Sequence, residues 1–159
     1  MNEKSQVITK VRKMSFYSSL IAYWLILPIL FSFYLAMKML MMGIDFQTLL
    51  TQNLTVTVLL LIALLNPFSA YFLLNTSEKD RKRNQPVGFY LKAMLVQQLL
   101  VGNLVGAILA FFSFREMPYS QDRVDSQMKM TSVYILVGIQ YILSLVAIFA
   151  LWMMVKNGS

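Results

Sequence analysis

AMLVQQLLVGNLVGAILAFFSF, residues Ala93–Phe114, runs for 22 positions without one charged side chain. A helix needs about 20 apolar residues to cross a bilayer core about 30 Å thick. Inside hydrocarbon every backbone N–H and C=O must be satisfied within the protein, which leaves helices or closed barrels. Barrel strands are about ten residues long and alternate in polarity. This stretch does not alternate, so it reads as a helix long enough to span.

Three more charge-free windows lie around it: Met14–Met37 with 24 residues, Phe46–Ser77 with 32 and Met130–Val155 with 26. Val58-Leu59-Leu60-Leu61-Ile62 and Leu143–Leu151 are as unbroken as the first. The expected fold is therefore all-α: four transmembrane helices in two hairpins, near residues 15–42, 51–75, 87–114 and 130–155. The basic linker 76–86 and the loop 115–129 are too short for a domain of their own. The chain reads as a single membrane domain, 1–159.

Composition agrees. The 159 residues are 58% hydrophobic and 13% charged. A soluble domain is nearer 45–50% apolar and about 25% charged. The first apolar run is longer than a signal peptide's and no small-x-small site closely follows it, so it reads as a retained anchor.

Lysine and arginine set the expected orientation. With both termini inside, Lys4, Lys10, Arg12, Lys13, Lys79, Arg81, Lys82, Arg83, Lys92 and Lys156 are cytoplasmic, and Lys38, Arg115, Arg123 and Lys129 are outside. That split follows the positive-inside rule. The net charge of +7 is then all on the inner side. The cluster Lys79, Arg81, Lys82 and Arg83 forms a cytoplasmic basic patch. It suits the anionic inner leaflet, each base contributing about 1 kcal/mol, or an acidic partner. Nucleic acid is not expected, because the basic groups are short and anchored.

The chain has no His and no Cys. That removes the usual general base, thiolate chemistry and most metal-ligand sets. All seven acids fall outside the charge-free windows, so a membrane carboxylate for coupled transport is absent from the sequence. No phosphate-binding glycine loop occurs either. No enzyme and no cofactor is expected. Seven of the 12 methionines (Met37, Met39, Met41, Met42, Met117, Met128 and Met130) fall on the expected outer side. Thioethers suit Cu(I), yet methionine is also a flexible apolar filler, and the filler reading is preferred.

Two patterns inside the helices carry the site expectations. Gly102, Gly106 and Ala110 repeat at four-residue spacing, so they stack on one helix face and let another backbone come close. They are the expected packing or partner seam. Asn66, Asn103 and Gln140 fall near the centres of three different helices and form an expected midplane polar layer. Pro67 frees the Ala63 carbonyl, as Pro28 frees that of Trp24, and carboxamides can donate to such groups. The layer is either glue between helices or a polar site.

The function expected from these features is a small non-catalytic accessory, regulatory or immunity-type subunit. It would act through helix–helix contacts with a larger membrane complex or by self-association. The alternative is a homo-oligomeric channel or transporter for a small neutral solute, lined by Asn66, Asn103 and Gln140. The compact basic form suits a bacterial cytoplasmic membrane.

Overall fold

The computed structural model describes residues 16–119 and 129–157. Within them lie six α-helices and no strand: α1 Phe16–Met42, α2 Phe46–Gln52, α3 Leu54–Leu74, α4 Pro86–Leu100, α5 Leu104–Glu116 and α6 Met130–Asn157. A 3-10 turn, Glu78–Asp80, sits between α3 and α4. The basic tail Lys10–Lys13, Arg123 and Met128 lie outside the described residues.

Each break has a local cause. Gly43 ends α1 with φ +63°, and the Ile44 N–H returns to the Met39 carbonyl at 3.3 Å. This is the six-to-one closure of a helix stopped by a left-handed glycine. Asp45 then starts α2 by accepting from the Thr48 N–H at 2.8 Å. Hydrogen bonding from Thr48 holds the Asp45 carboxyl below its ordinary pKa. Asn53 stops α2 through its N–H to Leu49 and starts α3 through its side chain, which accepts from the Val56 N–H at 3.2 Å. Pro86 occupies the first position of α4, where its missing N–H costs nothing.

The fourth expected helix is not continuous. Among the described residues three helices are long and apolar enough to cross a membrane: α1, α3 and α6. The stretch 87–114 is instead a helical hairpin, α4 and α5, folded at Val101-Gly102-Asn103. Gly102 takes φ +76°, and the Asn103 N–H closes back on the Gln98 carbonyl at 2.8 Å. Asn103 in the same turn caps α5, its side chain accepting from the Gly106 N–H at 3.0 Å. A helix stop and a helix start therefore stand side by side, and the chain reverses.

Contacts along the hairpin show the reversal. The carboxamide of Gln98 meets that of Asn103, Lys92 Nζ lies 4.9 Å from the Phe114 ring, and the Arg83 N–H donates to the Pro118 carbonyl at 3.1 Å. The arms are antiparallel and return to one end. At this proximal end, the Tyr17 hydroxyl donates to the Leu73 carbonyl at 2.8 Å, Phe16 stacks on Phe112 at 4.9 Å, and Phe89 meets Tyr134 at 5.0 Å. So α1, α4 and α6 all start there, and α3 and α5 end there. The opposite, distal end carries α2 and the close of α6. Among the described residues α1 begins at the proximal end and α6 finishes at the distal end, which differs from the expected pair of hairpins that return to one side. Met117 and Met130 likewise belong to the proximal end and Met37–Met42 to the distal end, which splits the expected methionine cluster.

The main helix contacts close a ring: α1 on α3, α3 on α6, α6 on α4, α4 on α5 and α5 on α1. Inside the ring Leu20, Trp24, Leu73, Tyr90, Leu91 and Met94 are fully buried and form the larger core. A smaller cluster of Leu35, Leu49 and Val56 ties α2 across the distal ends of α1 and α3. Beyond the hairpin tip only α1, α3 and α6 continue, so the ring opens into an arc with α3 in the middle.

Gly102 has nothing within 4 Å of where a Cβ would stand, so its requirement is conformational alone. Gly102→Val should lower stability by about 1–2 kcal/mol, the cost of left-handed backbone for a residue with a side chain. Gly102→Asn should lose much less. Thermal melts in detergent check this: equal losses for both variants would mean that the turn is not the constraint.

Candidate functional site

The site is built around the hairpin tip. Gln98, near the end of α4, is its hub. Its Nε2 donates to Asn66 Oδ1 on α3 at 3.3 Å and to Gln97 Oε1 at 2.8 Å, and its Oε1 accepts from Asn103 Nδ2. Asn103 Oδ1 also accepts from the Tyr23 hydroxyl of α1 at 2.6 Å. Gln97 Nε2 reaches Ser144 Oγ on α6 at 2.8 Å, and that hydroxyl passes on to the Gln140 carbonyl at 2.8 Å. The Gln140 side chain sits a turn closer to the proximal end. Its Nε2 donates to Ser69 Oγ at 2.8 Å and its Oε1 accepts from Tyr90 at 3.4 Å.

The structure thus brings Asn66, Asn103 and Gln140 into one polar system, but not side chain to side chain. Gln98 joins the first two, and Gln97 with Ser144 leads on to the third. Asn66 Nδ2 also donates to the Ala63 carbonyl that Pro67 frees, at 3.4 Å. Every carboxamide oxygen and nitrogen in this group has a partner. Gln97, Gln98, Asn66, Gln140, Ser69 and Ser144 are all buried. A buried network in this condition fixes helix register. In membranes each such bond is worth about 0.6 kcal/mol on average and at most about 1.7.

The small-residue seam divides. Gly106 and Ala110 are buried on α5, and a side chain at Gly106 would collide with the Gln98 and Asn103 amides. Gly102 does not share their face, since it is the turn residue. The close approach these residues permit is therefore internal, α5 against the rest of the ring.

The basic patch divides as well. Arg81 donates to the Thr76 carbonyl at 2.9 Å and lies 4.7 Å from the Tyr17 ring. Arg83 donates to the Arg115 carbonyl in the last turn of α5 and covers Phe114. Cations are favoured at helix C-termini by the exposed carbonyls and the dipole, so these two close α3 and α5. Lys79 and Lys82 lie in the same linker. Gly88 makes the arrangement possible, because a Cβ there would strike the Arg83 backbone. Gly88→Val should detach the linker from α4. The measurable result is proteolytic cleavage at Lys82 or Arg83 that the native protein resists; unchanged resistance would contradict the packing.

Beyond the tip, the open side of the arc forms a groove of about 430 Å³ between α1 and α3. Leu30, Phe31, Tyr34 and Leu59 line its sides, and Asn66 and Asn103 lie at its floor. Among the described residues, no group of three or more His, Cys, Asp or Glu is placed to hold a metal ion. Comparison with protein-family models, curated proteins and solved structures found no match.

Proposed function

We propose that this chain is an integral membrane protein with three spans and a re-entrant hairpin, which acts by contact rather than by catalysis. The carrying observation is the buried amide network. It links five helices and gives every one of its carboxamide oxygens and nitrogens a partner. Such a device holds a rigid shape for something else to bind. An accessory, regulatory or immunity-type subunit of a larger membrane complex fits that description, and a bacterial cytoplasmic membrane suits its compact basic form. Since Gly106 and Ala110 are occupied internally, partner contact falls to the outward faces, such as Ile135, Ile139, Ile142 and Phe149 of α6, each more than half exposed.

The re-entrant arrangement also supports an orientation. Of the nine Lys and Arg among the described residues, only Lys38 and Lys156 belong to the distal end; Lys79, Arg81, Lys82, Arg83, Lys92, Arg115 and Lys129 lie at the proximal end or in the segments that join its helices. That is a steeper asymmetry than four spans would give. The positive-inside rule then puts the proximal end in the cytoplasm and the end of α6 outside.

The second reading, a channel or transporter for a small neutral solute, has one observation in its favour: the groove reaches Asn66 and Asn103. Against it, the proximal half of the ring beneath them is filled by Trp24, Leu73, Tyr90 and Met94. Purification in gentle detergent with mass measurement separates the two readings. A reproducible heteromeric complex supports the accessory role. A pure homo-oligomer that admits a small solute into liposomes would replace it with the channel.

A further inference from the structure

The groove above the hairpin tip has the lining and charge of a lipid site. Its walls are apolar: Leu30, Phe31, Leu59 and Ile62. Its floor amides are already satisfied by Gln98, Tyr23 and the Ala63 carbonyl, so an occupant needs no polar group at that depth. The groove is open along one side, so an occupant lying in it also faces the bilayer. Extended hydrocarbon chains can lie along it over the half-thickness of a bilayer core, about 15 Å.

The mouth adds a charge. Lys38 lies three turns beyond Leu27 on α1, about 16 Å along the axis, which is the depth of a headgroup when the tip is at midplane. Its Nζ stands 6.0 Å from the ring of Tyr34, a groove residue. Among the described residues no carboxylate pairs with it. It is, among the described residues, one of two basic residues at that end, with Lys156.

We propose that the groove binds one diacyl phospholipid from the distal leaflet, its two tails between α1 and α3 down to the tip and its phosphate at Lys38. The proposal rests on the membrane reading above. In effect, lipid tails complete the ring where α4 and α5 stop short.

The test uses the full chain, delipidated in gentle detergent, with dioleoyl phosphatidylglycerol as the probe and native mass spectrometry as the readout. One retained lipid per chain is expected. Leu59→Trp and Leu30→Trp, at wall positions 41% and 65% exposed, fill the groove without entering the core. Each should lower retention at least tenfold with an unchanged melting temperature. Lys38→Gln should lower retention of the phospholipid severalfold but not that of dioleoylglycerol, which has the same tails and no phosphate. Undiminished retention in both tryptophan variants, or none in the native chain, overturns the site. Equal losses of both lipids in Lys38→Gln remove the phosphate contact and with it the proposal as stated. Extraction of the chain from membranes by alkaline wash without detergent would instead sink the membrane reading.

Discussion

Gln98→Leu is expected to lower the melting temperature in detergent by about 5–15 °C, far more than loss of any one hydrogen bond would. Leucine nearly matches the volume of glutamine, so packing changes little. What changes is that three atoms lose a partner at once: the buried Asn66 Oδ1 and Gln97 Oε1 and the part-buried Asn103 Nδ2. An orphaned buried polar atom costs about 1–3 kcal/mol. Membrane proteins soften this because the unfolded helices also find partners, so a total of about 2–4 kcal/mol is reasonable. For a chain of 150–250 residues each kcal/mol moves the midpoint by about 2–4 °C. Asn66→Leu combined with Gln98→Leu should cost less than the sum of the two, because they share a bond. A drop below about 2 °C, or strict additivity, would show that the amides do not act as one network.

The second large effect is all-or-none. The native chain has no cysteine, so single cysteines report cleanly. With an impermeant thiol reagent on intact cells, Ser77→Cys and Tyr119→Cys should stay protected, while Gln47→Cys and Lys156→Cys should label. After permeabilisation all four should label. The pair Tyr119 and Lys156 decides the matter. Four spans place Tyr119 outside and Lys156 inside, whereas the hairpin reverses both. Labelling of Tyr119→Cys in intact cells would refute the re-entrant arrangement.

The helical class, and the positions of α1, α3 and α6, were legible because they depend on long-range composition. Charge excluded from more than 20 consecutive residues leaves few physical solutions. The hairpin had a signal too, in Leu100-Val101-Gly102-Asn103-Leu104, a glycine stop followed by an asparagine start. In an apolar window that same glycine also reads as a packing residue, since glycine is common in membrane helices. Only the φ of +76° decides between the two. Gln98 was hidden for a related reason. Along a straight helix it lies a turn from the level of Asn103, and only the reversal folds Asn103 back onto it. Pro67, Ala63 and Asn66 needed no tertiary knowledge, because the orphan carbonyl and its donor lie within one turn.

The change from a ring of five helices to an arc of three has a mechanical side. With helices about 10 Å across, the proximal half has a cross-section of about 400 Å² and the distal half, apart from α2, about 240 Å². A molecule shaped like this is a wedge. Embedded with the three spans and re-entrant hairpin proposed above, it would press the two monolayers apart unequally, and each copy would add a small bend away from its wider face. Where many copies gathered, the sheet would relax by curving towards the distal side. The protein would then enrich in regions already bent that way, a sorting cue that depends on its cross-section rather than on any residue it displays.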